Sequence, residues 1–470
     1  RVECRPVDGW SKKPLTGVQD GHSRVYQHGS DRLVLWSSAS LPTGQALHAP
    51  LFLCLEWNPN AFPTPQALVT ERERTSDYWN TWVKHCSIPT LYQQQTIRSA
   101  LALKLHCFEE TGAILAALTT SLPEEAGATR NWDYRFCWLR DAYFSLSALR
   151  NLGHFEEMEA FVEFVVRLSE SPENEGRLRP VYRLDGTLPL PEVEHPAWKG
   201  LAGSQPVRSG NQAAEHIQND VYGEMALTLS PIFFDDRLHH LRTPRVEALF
   251  EVLATRCSQT LGEADAGLWE VRHGWQEHSF STLLNWAGLE RARRVQECGW
   301  LKTLKIDLSA EIERARHALV RACQDGALLN GPTDPTADAA LLLLPVLGFP
   351  DEEICRRTVA RTWKDLRFEG VGEIGAYLFR YLRPDDFGTP KAPFLICSFW
   401  LVQALAKMGQ NEEAHKVMRT ILSSANSLGL LAEHFDPAAS KQSGNFPQAY
   451  SHVGVINAAF AISPPWNGWP

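Results

Sequence analysis

Long apolar runs are missing from this chain. The longest, Ala339 to Phe349, is 11 residues and is broken by Pro345, well short of the roughly 20 needed to cross a bilayer. No membrane partner is therefore expected. An excess of positive charge is missing too: 46 Lys plus Arg face 55 Asp plus Glu, a net charge of −9, which repels nucleic acid and anionic lipid. A small neutral or polar ligand fits that surface better. The ten cysteines lie scattered between Cys4 and Cys397 with no C-x-x-C pair, which argues against a disulfide framework. Free thiols in a reducing cytoplasm are expected instead. No cluster has metal-ligand spacing, so neither a metal nor a cofactor is expected. An initiator methionine and a signal-like apolar stretch are also lacking. The opening Arg1-Val2-Glu3-Cys4 reads as a start inside a fold, with the natural protein longer.

What remains is ordinary for a globular protein, apart from one residue type. At 470 residues with 44% hydrophobic and 21% charged, the chain amounts to about three domain-equivalents. It can bury a large core unaided. The 16 tryptophans, set against 21 phenylalanines and 4 methionines, hint at carbohydrate, because indole stacks on sugar faces. Indole also simply fills cores.

Residues 1–70 carry Gly, Pro and Ser with short β-prone runs at Arg32–Trp36 and Leu51–Trp57, the pattern of a small β-domain. The stretch 71–91 reads as a linker helix, with Thr75, Ser76 and Asp77 ahead of Tyr78, Trp79 and Trp82. From residue 92 to 470 the apolar period becomes helical, as in Phe161, Phe164, Val165 and Leu168. Twelve segments follow: 92–108, 136–152, 155–169, 211–231, 244–261, 278–298, 309–323, 336–346, 351–364, 393–409, 410–426 and 449–463. Short turns join several of them, as in αα-hairpins. The expected fold is mainly α, a toroid of hairpins whose loops form a cup at one end; a helical solenoid gives a similar count. Long connections at 110–135, 172–210, 262–277, 366–392 and 427–448 are where function concentrates.

Three of these loops carry the chemistry. The first packs Glu124, Glu125, Arg130, Trp132, Asp133, Arg135, Trp138, Arg140 and Asp141 into 21 residues. Opposite charges this dense also form plain ion-pair networks, but Arg140-Asp141 opens a helix where a planar guanidinium and a carboxylate can grip vicinal hydroxyls. The second reads Gly267-Leu268-Trp269-Glu270-Val271-Arg272. A carboxylic acid beside a tryptophan in a dry cup suits a general acid; the bland alternative is an ion pair between Glu270 and Arg272. The third contains Glu433-His434-Phe435-Asp436 and Gly444 to His452, in which Glu433 could deprotonate water. Spacing alone cannot pair Glu270 with Glu433.

The string Arg130 to Ala142 resembles the signature of bacterial glycoside hydrolase family 15, the glucoamylase and trehalase-like enzymes. The resemblance continues through Pro206–Asn211, Asp220–Glu224, Gly267–Arg272, Cys397–Leu401 and Gly444–His452, six blocks in family order from about residue 75 to the end. It implies an (α/α)6 barrel preceded by a β-sandwich, of which residues 1–70 would be the second half. It also implies an exo-acting α-glucosidase that works with inversion and releases β-glucose. In such an enzyme one carboxylic acid protonates the leaving oxygen and a carboxylate roughly 6.5 to 9.5 Å away activates water. Carried over by motif, Glu270 is the general acid and Glu433 the general base. Trp138, Arg140, Asp141, Trp269, Arg272, Tyr450 and His452 bind the sugar, with Gln448 and Ser451 near the water side.

Three positions depart from the family pattern. Gln205 stands where a basic residue is common, Lys391 replaces an acidic and glycine-containing stretch, and His434 sits where a second acid is frequent. The resemblance leans toward glucan oligosaccharides over α,α-trehalose. A silent sugar-binding protein on the same barrel and a phosphate-dependent phosphorylase are the rivals, and the presence of both acids argues against each.

Overall fold

A computed structural model describes residues 4–39, 51–174, 176–369 and 375–468; Arg1 to Glu3 and residues 370–374 of the loop 366–392 lie outside it. The chain divides into two compact units, residues 1–85 and 86–470.

In the first unit, β1 (Gly17–Asp20), β2 (Ser23–His28), β3 (Asp31–Ser37) and β4 (Leu53–Trp57) form one antiparallel meander in sequence order. Two-residue turns set the register of its first two hairpins, pairing Asp20 with Ser23 and His28 with Asp31. Tyr26 and Val34 are both buried, one on each face of the sheet, since Tyr26 pairs with Leu33 and Val34 with Val25. Helix α1 (Pro65–Lys84) starts ten residues earlier than Thr75, because Thr64 accepts the Ala67 amide at 3.1 Å and Pro65 takes the first turn.

The second unit is built of helices: α2 (Gln93–Lys104), α3 (Leu139–Leu152), α4 (Glu156–Glu170), α5 (Asp220–Phe234), α6 (Pro244–Gln259), α7 (Ser279–Glu297), α8 (Leu308–Arg321), α9 (Leu343–Val346), α10 (Glu352–Leu366), α11 (Leu395–Lys407), α12 (Asn411–Leu422) and α13 (Ala449–Ile462). A 3-10 turn, Ala339–Leu342, leads directly into α9. Asp and Thr caps fix several starts: Thr243, Asp307 and Asp351 each accept an amide from the first turn of α6, α8 and α10.

Burial separates two sets. Helices α5, α11 and α13 are apolar nearly all round and almost wholly buried, whereas α8, α10 and α12 bury a single stripe. The buried set touches in closed order: α3 meets α5, α5 meets α7, α7 meets the Ala339–Leu342 turn, that turn and α9 meet α11, α11 meets α13, and α13 returns to α3. The second set backs it, with α4 on α3, α6 on α5, α8 on α7, α10 on the Ala339–Leu342 turn, α12 on α11 and α2 on α13.

Two expected helices differ most: 336–346 is the Ala339–Leu342 turn followed by the single turn of α9, and 211–231 is split. Residues 211–219 are not part of α5, because the Asn211 side chain accepts the Ala213 amide at 2.9 Å and caps a separate 3-10 turn, a local bond that competes with the helix ladder. Helix α5 then runs three residues past 231. No two of the ten cysteines are joined. No helix among the described residues is long and apolar enough to cross a membrane.

The residues immediately before α3, α11 and α13 are Trp138, Phe394 and Gln448, all in extended conformation. All three line the same cavity.

Candidate active site

That cavity has a volume of about 100 Å³ and is lined by both Glu270 and Glu433. The fold therefore joins two acids that the sequence separates by 163 positions. Trp138, Arg140, Asp141, Trp269, Arg272 and Tyr450 line it as well.

Glu270 ends a tight turn. Its amide bonds to the Gly267 carbonyl at 3.1 Å, and the Val271 amide bonds to Ala266 at 3.0 Å. Gly267 has φ of 65° and a β-carbon there would stand 2.8 Å from the His278 ring, so no other residue fits without displacement. Glu270 itself has φ of 64°, a left-handed conformation that non-glycine residues adopt at a cost and that clusters at functional sites. Buried Asp265 anchors the turn. It accepts the amides of Asn219 at 2.7 Å and Gly267 at 3.0 Å and the Ser281 hydroxyl at 2.8 Å, tying the turn to the starts of α5 and α7.

The Glu270 carboxylate is held by one oxygen. Oε1 accepts Trp138 Nε1–H at 2.6 Å, Arg140 Nη2–H at 3.3 Å and Gln218 Nε2–H at 3.4 Å. Arg140 gives its other terminal nitrogen to Gln218 at 2.9 Å. The alternative of an ion pair between Glu270 and Arg272 does not form: Arg272 binds Glu192 at 2.9 and 3.0 Å and donates its amide to Asp386 at 2.7 Å.

Glu433 is almost fully buried and sits just before a two-stranded ribbon in which His434–Asp436 pairs with Lys441–Ser443. Its carbonyl accepts the Leu395 amide at 3.1 Å, fixing it at the start of α11. Tyr134 donates its hydroxyl to Glu433 Oε1 at 2.8 Å. The Tyr134 ring meets Trp138 edge-on with centroids 5.5 Å apart, so one aromatic pair supports both carboxylates. Among the described residues no hydrogen bond reaches Oε2 of either acid.

Asp141, in the first turn of α3, is pushed up to about 7, chiefly by burial; Arg140 opposes this, and the charges of Glu270 and Glu433 add to it. Tyr450 is buried against Phe144, Phe394 and Trp400 and its hydroxyl has no partner in the protein, leaving a polar atom at the cavity for a ligand. Trp269 donates its indole N–H to Asp338 at 2.8 and 3.0 Å, which Arg383 pairs in turn at 3.1 Å.

His452 is not brought to the site. Both ring nitrogens serve packing: one accepts the Leu431 amide at 3.2 Å and the other meets the Ser99 hydroxyl at 3.0 Å, and burial lowers the ring to about 3. Ser451 is spent on the Ala432 carbonyl and Gln448. Gln205 donates to the Trp198 carbonyl and Lys391 pairs with Glu125; neither lines the cavity. The sequence did not single out Tyr134, Gln218, Asp338, or the Glu124–Arg380 ion pair, closed at 2.9, 2.9 and 3.0 Å.

Comparison with known proteins gives the same grouping. Residues 90–460 match the family described as Glycosyl hydrolases family 15. The chain belongs to this family. Among family relatives, a trehalase of Thermoplasma volcanium is 32% identical over 393 residues, covering 82% of this chain and 61% of the relative. A trehalase of Mycolicibacterium smegmatis is 33% identical over 424 residues, covering 88% and 62%. The chain thus spans about six tenths of the length of these family 15 relatives. Among solved structures, a bacterial glucoamylase complexed with acarbose superposes with a TM-score of 0.66 at 12% identity over 93% of this chain and 73% of its own. The glucoamylase of Saccharomycopsis fibuligera gives 0.55 at 13% over 82% and 95%. The family 15 chain therefore has a glucoamylase-like fold.

Proposed function

We propose that this protein hydrolyses a terminal α-glucosidic bond with inversion, Glu270 acting as general acid and Glu433 as general base. The observation that carries the proposal is the matched engagement of the two acids: each has one carboxylate oxygen held by protein donors and the other left uncommitted in one cavity. Glu270 gives a proton to the glycosidic oxygen as the bond to C1 breaks. Water attacks C1 from the other face while Glu433 takes its proton. Arg140, Asp141 and the unpartnered Tyr450 hydroxyl hold the sugar hydroxyls, and Trp138 and Trp269 shape the apolar walls. The closed contact order of the buried helices, each backed by a partner, supports reading residues 92–470 as an (α/α)6 barrel.

For the substrate we favour α,α-trehalose. The glucan preference of the motifs gives way to the trehalases of 32 and 33% identity, and a rim of Trp132 and Phe387, edge-on at 5.1 Å, offers a second sugar an aromatic face. Exo-hydrolysis of α-1,4 or α-1,6 gluco-oligosaccharides is the second reading, kept because the motif blocks are shared by both activities. Glucose release from trehalose, maltose, isomaltose and soluble starch, measured in parallel, separates them; activity on starch with none on trehalose overturns the first. Proton NMR of the initial products from trehalose must show one β- and one α-glucose per bond cleaved, and two α-glucoses would sink the inverting mechanism.

A further inference from the structure

His434 was set apart in the sequence as a departure from a frequent acid. It lies inside a buried row of alternating charge, between Glu124 and Glu433. Its Nδ1 is 3.1 Å from the Pro393 carbonyl oxygen, an acceptor only, so Nδ1 carries a hydrogen. Its Nε2 is 3.6 Å from Glu124 Oε1 and 3.6 Å from Glu433 Oε1, outside hydrogen-bond reach of either and within ion-pair distance of both. A bare lone pair at Nε2 would face two carboxylates inside a ring that has no exposure. A hydrogen there faces two attractive charges, and the ring becomes a cation.

We propose that His434 is a positioning residue for the base: an imidazolium fixed between Glu124 and Glu433 that keeps the Glu433 carboxylate ionised and its free oxygen available to water. The inference rests on Glu433 being the base. Every group facing the ring agrees with it. Arg380 clamps Glu124 through three contacts and fixes its negative charge. Phe394 covers the imidazole face with centroids 4.7 Å apart. Tyr134 supplies Glu433 with a neutral donor. On the paired strand Lys441 is exposed, and Asp436 caps the turn after it through the amides of Ala438 and Ala439. Burial alone would strip the ring of its proton, but Glu124 and Glu433 reverse this and raise it to about 9. Arg380, Glu124, His434 and Glu433 then sum to zero charge.

A divalent cation is the competing occupant, since Glu124, Glu433 and His434 offer ligand atoms within 4.8 Å of one another. Arg380 and Tyr134 already donate to the two oxygens that face His434, and with Arg380 beside them the two carboxylates leave only one net negative charge. One proton neutralises that; a dication overshoots it and takes the electron pair the base must use.

The test is the pH dependence of kcat/KM on whichever of the four sugars proves to be hydrolysed, for the wild type, His434→Gln and His434→Lys. Loss of a cation at this distance should move the acidic limb upward by roughly 1 to 3 pH units, and lysine should bring it back. A limb unmoved in His434→Gln, with activity lowered equally at all pH values, overturns the proposal. So does activity abolished by a chelator and restored by a divalent metal. Imidazole ¹⁵N shifts in histidine-labelled wild-type protein, assigned by the signal missing in His434→Gln, give a readout independent of turnover: both nitrogens must be protonated at pH 7, and a neutral ring ends the idea. Glu433→Gln separates the two layers. If it retains hydrolysis, the base assignment fails; if it is silent while the limb stays put, only the role of His434 fails.

Discussion

Tyr134→Phe is the narrowest perturbation of the site. It deletes one oxygen and leaves the ring that packs edge-on against Trp138 at 5.5 Å. Among the described residues, that hydroxyl is the one donor within normal hydrogen-bond distance of the Glu433 carboxylate, at 2.8 Å. Burial and the neighbouring charge of Glu433 raise Tyr134 well above the usual tyrosine range, so it remains a donor at every working pH. A hydrogen bond to a charged group contributes about 1.5 to 3 kcal/mol, and 1.36 kcal/mol is tenfold in rate, so kcat/KM should fall roughly 10- to 150-fold. The ring still fills its place, so the variant should stay folded at the assay temperature. Initial-rate glucose release, with a melting curve as control, measures both. A variant within twofold of wild type would refute the view that this bond orients the base, and an equal fall in activity and fold would assign it to packing.

Glu270→Gln should lose about 10²- to 10⁴-fold on a natural glycoside yet retain turnover of α-glucosyl fluoride, whose leaving group needs no proton; equal losses on both would remove Glu270 as the acid. Gly444→Ala should abolish activity, because a β-carbon there, at φ of 81°, would stand 2.7 Å from both Cβ and Oε2 of Glu433; wild-type rates would mean that the ribbon yields. Asp141 is held up to about 7 by burial, above its unfolded value of about 3.9. The folded protein therefore binds that proton more tightly, and this contribution to stability is lost as pH rises from about 4 to about 7. Asp141→Asn should remove the decline and gain up to roughly 4 kcal/mol at pH 7 while losing activity, as denaturant titrations at several pH values would show; parallel curves for the two proteins would contradict it.

Helix positions were legible because apolar period and short polar turns coincide, as at Asn151-Leu152-Gly153, where α3 ends and α4 follows within four residues. The two acids were legible because motif residues crowd loops. Their partners were not: Tyr134 and Glu433 lie 299 positions apart, and Glu124 and Arg380 lie 256 apart, distances at which composition carries no trace of pairing. His452 misled because its motif runs into α13. Two residues beyond Tyr450 is about 200° around a helix, so the motif continues while the side chain turns away from the cavity. Trp286 and Trp400 are core, buried to 4% and 0% exposure, as their helical positions suggested.

The chain enters α3, α11 and α13 through residues that line the cavity, and Asp265 draws the starts of α5 and α7 toward the Glu270 turn. Five helix macrodipoles thus end near one small volume, each contributing about half a positive charge at its amino end. Against that background, the carboxylates of Glu124, Glu270, Asp338 and Glu433 offset both the helix starts and Arg140, Arg380 and Arg383, which pair with three of them. An oxocarbenium-like sugar, carrying its own developing positive charge, could not be accommodated among bare helix starts. The acids surplus to a two-carboxylate reaction would then make this end of the molecule electrically hospitable to the proposed transition state.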